Sequence, residues 1–207
     1  MPLELDEQYI KEGYRLIVGT DEAGRGCLLG PVFAAAVILP IGFKNELIND
    51  SKKLSVKQRE KAFEIITKNA IAYAISSIDP DTIDEVNILN ASRMAMQDAI
   101  SKLNHEYDLI LTDCMKMKGY DVPVIDLIHG DALSQTIAAA SILAKVSRDR
   151  WCEEIDEKYP AYHIKKNKGY GTKDHLQALK EFGPVKHLHR FSYAPVKGCF
   201  IKKISLF

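Results

Sequence analysis

Five short apolar runs alternate with helix-forming segments along this chain, and that alternation restricts the fold more than any other feature. The runs are RLIVGT (15–20), VFAAAVIL (32–39), AIAYAISSI (70–78), DLILTD (108–113) and VPVIDLI (122–128), each bounded by turn-forming or charged residues. Their length and β-branched content suit strands. Residues 55–69, 90–103, 133–159 and 173–182 suit helices, with Ser55 placed to cap the first and Gly183-Pro184 ending the last. The first two strands are close enough to form a hairpin, and helices separate the later ones. The expected class is α/β, a central mixed β-sheet flanked by helices with a helical, basic C-terminal part.

A chain of 207 residues, 46% hydrophobic, suits a single domain over 1–207. No apolar stretch approaches the roughly 18 residues that span a bilayer, and the N-terminus lacks a secretory pattern, so a cytoplasmic protein without membrane contact is expected. Cys27, Cys114, Cys152 and Cys199 form no C-x-x-C pair, which argues against a structural zinc site or a disulfide framework. The 28 basic and 28 acidic residues cancel, but they are unevenly spread. Residues 160–207 hold ten Lys or Arg against Asp174 and Glu181, a net +8 that leaves −8 for the rest. That segment is either a substrate-binding extension facing nucleic acid or a basic solvated surface.

Acids punctuate the strands. RLIVGT runs straight into Asp21-Glu22, and LILT stops at Asp113. Acids are depleted inside strands, so these are either turn residues or groups collected at the carboxyl edge of a sheet, where α/β folds bind ligands. Asp131 precedes a long helix and is placed either to cap it or to join the same group. If the segment ends share one edge, four carboxylates meet there. They cannot all stay ionised without a cation, and hard oxygen donors select Mg²⁺ or Mn²⁺ over zinc. Because side chains alternate along a strand, Asp21 and Glu22 can serve one site only if the strand ends or bends there.

The glycines after these acids do not form a dinucleotide loop: the spacing of GRGCLLG is wrong, and Pro31 and a strand follow instead of a helix. Gly24 and Gly26 offer backbone amides that a substrate can approach, and Arg25 offers a fork of donors matched to phosphate; a tight turn with a surface arginine is the plainer alternative. In KNKGYGTKDH, Tyr170 stands between two glycines in a basic setting, which suits stacking on a sugar or base, or else anchoring of the loop. His175, His187 and His189 lack the spacing of metal ligands and read as surface or internally satisfied histidines.

The segments GTDEAGRGCLLGPVFAAAVIL, NDSKKLS, LILTDC, HGDALSQTIAAASILAKVSRDR, YHIKKNKGYGTKDHLQAL and HLHRFSYAPV resemble, in order, those of ribonuclease HII, across residues 19–196. The resemblance implies an RNase H-like fold and an endoribonuclease that hydrolyses the RNA strand of RNA–DNA hybrids and nicks duplex DNA 5′ of embedded ribonucleotides. It implies that Asp21, Glu22, Asp113 and Asp131 are catalytic acids holding two Mg²⁺ or Mn²⁺ ions. It further implies that Gly24-Arg25-Gly26 read the ribose 2′-hydroxyl and adjacent phosphate, that Tyr170 packs on the neighbouring sugar, and that Lys52 contacts phosphate. The chain departs from the family at Cys27, usually proline, and at Leu29, usually alanine. It also has TDC in place of V-D-G at the third acid and HGD in place of K-G-D at the fourth. No acid is lost, and Cys114 is expected to be silent.

The related ribonuclease HIII carries an extra N-terminal domain, whereas only about 14 residues precede the first strand here. A catalytically silent hybrid binder would not need all four acids, and a junction nuclease would not need the ribose. The tail Ile204–Phe207 resembles the short leucine–phenylalanine peptides that hold the replication sliding clamp, a docked chain end being the alternative.

Overall fold

The structure, a computed structural model, describes residues 4–49 and 54–204. Five strands, β1 (Ile17–Ala23), β2 (Val32–Ile38), β3 (Ala72–Ile78), β4 (Leu109–Asp113) and β5 (Val124–Leu127), form one sheet in the order β3-β2-β1-β4-β5. The helices are α1 (Glu4–Lys11), α2 (Val56–Asn69), α3 (Pro80–Val86), α4 (Ile88–Ser101), α5 (Gly130–Leu133), α6 (Gln135–Lys158), α7 (Ile164–Asn167), α8 (Lys173–Phe182) and α9 (Ala194–Ile204). Strands β1, β2 and β3 pair antiparallel, while β1, β4 and β5 pair parallel. The expected mixed sheet is therefore present, with β1 at its centre. Among the described residues no helix is long and apolar enough to cross a membrane.

Each face of the sheet has its own apolar layer. Val18, Ala36 and Ile38 pack with Ala91, Ala95, Met96 and Ile100 of α4 on one face. Ala35 and Val37 pack with Ala62 and Ile66 of α2 and with Ala138, Ala139, Ala140 and Ile142 of α6 on the other. The close approach of α6 depends on small residues. A Cβ at Gly19 would lie 2.3 Å from the Thr136 carbonyl carbon, so only glycine lets α6 settle on β1. Helix α6 has 24 residues, about 36 Å at 1.5 Å per residue. It runs on past the sheet to a third cluster, in which Cys152 packs with Leu28, Leu29, Tyr162, Leu179, Leu188 and Val196.

Local signals set the helix ends. Ser55 and Gln58 form a reciprocal capping box at α2, and Thr172 caps α8. The segment expected as one helix over 133–159 begins at Gln135, because the Ser134 side chain accepts from the Ile137 amide at 3.2 Å. Asp131 lies inside the separate turn α5 and caps neither helix. Helices α1 and α3 were absent from the expectation. Helix α3 carries an Asp79 cap with Pro80 at its first position, and α1 is pinned by buried Asp6, which accepts from the Ser134 hydroxyl and the Thr136 amide.

Candidate active site

Asp21 and Glu22 lie within β1, which does not end until Ala23. Pairing with β2 continues through Asp21↔Ala35 and Glu22↔Ala34, but parallel pairing with β4 stops at Thr20↔Thr112. At the two acids, β1 has thus lost its neighbour on one side. Alternation directs Asp21, like Gly19, towards α6 and Glu22, like Val18, towards α4. The open edge between them lets both line one cleft of about 280 Å³.

Asp113 ends β4 one residue beyond that gap, and its Oδ1 accepts the Gly130 amide at 2.8 Å. A Cβ at Gly130 would lie 2.7 Å from Ile137 Cδ1, so a larger residue there would have to displace the end of that side chain. Asp131 follows directly and is 4% exposed, but it does not line the cleft. The cleft instead gathers Asp21, Glu22 and Asp113 with Gly24, Arg25, Gly26 and Tyr170, and adds Arg59, Ser141 and Lys145. Lys52 lies outside the described residues.

The acids are strained electrostatically. Burial raises the Asp21 carboxyl well above its usual range, and the nearby charges of Glu22 and Asp113 push it further up; hydrogen bonds from Ser141 and from the Glu22 amide oppose this only in part. Such a site favours a cation. Arg25 supplies one positive charge, its Nε 3.0 Å from Glu22 Oε1, while its buried Nη2 has no hydrogen-bond partner among the described residues. Lys145 and Arg59 bring two more charges, both oriented by Asp149 at 2.6 and 4.0 Å. The oxygen donor set and its mutual repulsion fit a hard divalent ion. Among the described residues no three His, Cys, Asp or Glu side chains already converge as a metal cage, and Arg25 holds Glu22 in the arrangement seen.

The glycine turn and the Tyr170 loop stand side by side. Gly24 adopts φ +100, and a Cβ there would lie 2.2 Å from Arg148 Nε, so neither the backbone nor the space admits another residue. A Cβ at Gly26 would meet Tyr170 Cε1 at 3.8 Å, placing the half-exposed tyrosine ring against the turn. Arg148, 1% exposed, donates to Lys168 O at 2.8 Å and to Leu29 O at 3.2 Å, linking the two loops from beneath. Cys27 is buried there, its thiol donating to Lys168 O at 3.5 Å. Cys114 is exposed at φ +49, a left-handed conformation that accounts for a glycine in V-D-G at that position. His187 pairs at the surface with Asp81, whereas His175 and His189 are fully buried.

Sequence reasoning missed Arg59, Ser141, Lys145, Arg148 and Asp149. One signal was available: Ser141, Lys145 and Arg148 recur at helical spacing within the most buried helix of the chain.

A family model described as Ribonuclease HII matches residues 18–196. The chain is 52% identical over 191 residues to the Ribonuclease HII of Ruminiclostridium cellulolyticum, covering 92% of this chain and 74% of that one. Among solved structures it is similar to the ribonuclease H2 of Pyrococcus horikoshii OT3, with a TM-score of 0.78 at 24% identity over 90% of this chain and 98% of that one, a likeness of fold. It is also similar to the RNase HII in a PCNA:RNase HII complex from Archaeoglobus fulgidus, with a TM-score of 0.70 at 25% identity over 84% and 92% of the two chains. A third similar fold is Bst-RNase HIII in complex with Mn²⁺, with a TM-score of 0.67 at 17% identity over 91% and 70%.

Proposed function

The chain belongs to the ribonuclease HII family, and from that membership we propose an endoribonuclease that hydrolyses the RNA strand of RNA–DNA hybrids and nicks duplex DNA 5′ of an embedded ribonucleotide. The products carry a 3′-hydroxyl and a 5′-phosphate. The observation that carries this reading is buried Asp21 set against Glu22 and Asp113 at the open edge of β1, beside the glycine turn.

Asp21, Glu22 and Asp113 would hold a pair of Mg²⁺ or Mn²⁺ ions, with Asp131, which lies outside the cleft in this arrangement, as the fourth acid; the ions would supply Lewis acidity and a water of lowered pKa. Asp113 is oriented for this by the Gly130 amide. The amides of Gly24 and Gly26 approach the ribose 2′-hydroxyl, and Arg25 turns its forked donors to the adjacent phosphate. Tyr170, exposed on its loop, packs on the neighbouring sugar. Lys145, Arg59 and Lys52 hold flanking phosphates, and residues 160–207 form the basic part that grips the duplex backbone.

End-group analysis of a cleaved RNA–DNA hybrid tests this chemistry. The expected products are 5′-phosphate and 3′-hydroxyl ends that form with Mg²⁺ or Mn²⁺ and disappear with chelator. Cyclic 2′,3′-phosphate ends would show that the 2′-hydroxyl is the nucleophile and overturn the assignment.

The tail Ile204–Phe207 is proposed to bind the replication sliding clamp, a reading supported by the complex formed by the archaeal relative. Its side chains lie outside the described residues. Removing 203–207 is expected to abolish capture by immobilised clamp, and unchanged capture would dispose of the idea.

A further inference from the structure

His189 and Arg190 are adjacent, fully buried and polar, and each reaches a different substrate-facing loop. Their backbone is fixed first. His189 forms an isolated antiparallel bridge to Leu29, with Arg190 N donating to Leu28 O at 2.9 Å and Gly30 N donating to Leu188 O at 2.8 Å. From that anchor the two side chains diverge.

Arg190 serves the glycine turn. Its Nε donates to Gly30 O at 2.9 Å and its Nη1 to Arg25 O at 2.9 Å, while the Tyr193 hydroxyl donates to the same Arg25 O at 2.6 Å. His189 serves the tyrosine loop through a second histidine. Its Nδ1 accepts the Val185 amide at 2.9 Å, so its proton sits on Nε2, 3.3 Å from His175 Nε2. His175 must accept there, which leaves its Nδ1–H to donate to Tyr170 O at 3.0 Å. The network thus assigns both tautomers and gives the chain one direction. Burial and the facing His175 push His189 down to about 3, and burial also lowers His175, so both rings are neutral at neutral pH, as the chain requires.

We propose that His189 and Arg190 are positioning residues that hold the Gly24–Gly26 turn and the Tyr170 loop in register with each other, so that the ribose-reading surface is assembled before substrate arrives. The meaning of that surface rests on the function proposed above; the coupling between the loops does not. A loop held by buried hydrogen bonds gains placement at little ordering cost on binding, and misplacement of even about 1 Å in such a site costs large factors in rate. Glutamine at 189 keeps a donor near the position of Nε2, whereas leucine of similar size keeps none.

The test compares wild type, His189→Leu and His189→Gln. Amide exchange on the metal-free protein is expected to rise together at 24–28 and at 168–171 in H189L and to return towards wild type in H189Q. Exchange that rises only around Val185, or equally in both variants, would overturn the proposal. Kinetics add a second arm on a duplex with one embedded ribonucleotide. H189L is expected to lower kcat/KM by about tenfold or more, mainly through KM, with less than that loss when Tyr170 is already alanine. Equal losses in the presence and absence of Tyr170 would mean that the histidine does not act through that loop and would overturn the proposal. Failure of the proposed function has a different signature: wild type leaves the ribonucleotide uncut while the two loops still exchange as a coupled pair.

Discussion

The guanidinium of Arg25 lies 3.0 Å from the carboxylate of Glu22, three residues back on strand β1. A group proposed to offer donors to substrate phosphate is therefore also the counter-charge of a proposed metal ligand. Binding of a divalent ion at Glu22 and release of Arg25 towards phosphate become linked events. Arg25→Met removes the competitor. It is expected to tighten metal binding by the free protein a few-fold, about 1 kcal/mol for a partly exposed pair, while weakening binding of ribonucleotide duplex. Calorimetric titration with Mn²⁺ measures the first effect, and unchanged or weaker metal binding would show that the pair does not compete.

Asp21 is buried between like charges and accepts hydrogen bonds that only partly compensate. Asp21→Asn keeps the shape and removes one repelled charge. The metal-free variant is expected to melt at or above the wild-type temperature, whereas millimolar Mg²⁺ stabilises wild type and leaves the variant unchanged. Activity is expected to fall by about 10²–10³-fold or more, the scale of losing one group that supports developing charge. A variant less stable than metal-free wild type would mean that Asp21 is held chiefly by its hydrogen bonds.

Lys145 projects from α6 into the cleft and is oriented by Asp149. As a phosphate contact it contributes affinity without sequence preference. Lys145→Met is expected to weaken duplex binding uniformly across sequences and to reduce the slope of log K against log salt by about one. Binding measured over a series of salt concentrations reads this directly, and an unaltered slope would remove Lys145 from the phosphate-binding set.

The buried histidine pair makes acid stability a report on the loop scaffold. The folded-state pKa of His189 is lowered to about 3, chiefly by burial and then by His175. Between that value and the ordinary 6.5 of an unfolded histidine, the unfolded chain binds more protons. The contribution to stability is therefore complete above pH 6.5 and is lost as pH falls towards 3. Urea midpoints recorded from pH 7 to pH 4 are expected to fall more steeply for wild type than for His189→Gln, and parallel curves would contradict this.

Much of the frame was legible because it depends on local pattern. The apolar runs marked all five strands, and LILTD ended on the acid that does end β4. Acids placed after strands pointed to the cleft that gathers Asp21, Glu22 and Asp113, but Asp21 and Glu22 proved to lie inside β1, and only the pairing ladder reveals that their second neighbour has gone. Helix α1 was illegible because its hold comes from one buried acid reaching residues far along the chain. The Asp79-Pro80 signature of α3 was present and overlooked. Arg148, His189 and Arg190 read as ordinary polar residues. Arg148 reaches Leu29 across 119 residues and Arg190 reaches Arg25 across 165, while His189 acts through His175 on a separate loop, and no local periodicity encodes such contacts.

The central claim is that one turn couples the acidic site to a sensor of the ribose. The most direct measurement is cleavage of an end-labelled DNA duplex carrying a single ribonucleotide, beside an all-DNA duplex of the same sequence, in Mg²⁺, in Mn²⁺ and in chelator. A metal-dependent nick on the 5′ side of the ribonucleotide, absent from the all-DNA duplex, is the expected result. Equal cleavage of both duplexes would contradict the coupling and describe a nuclease indifferent to the sugar.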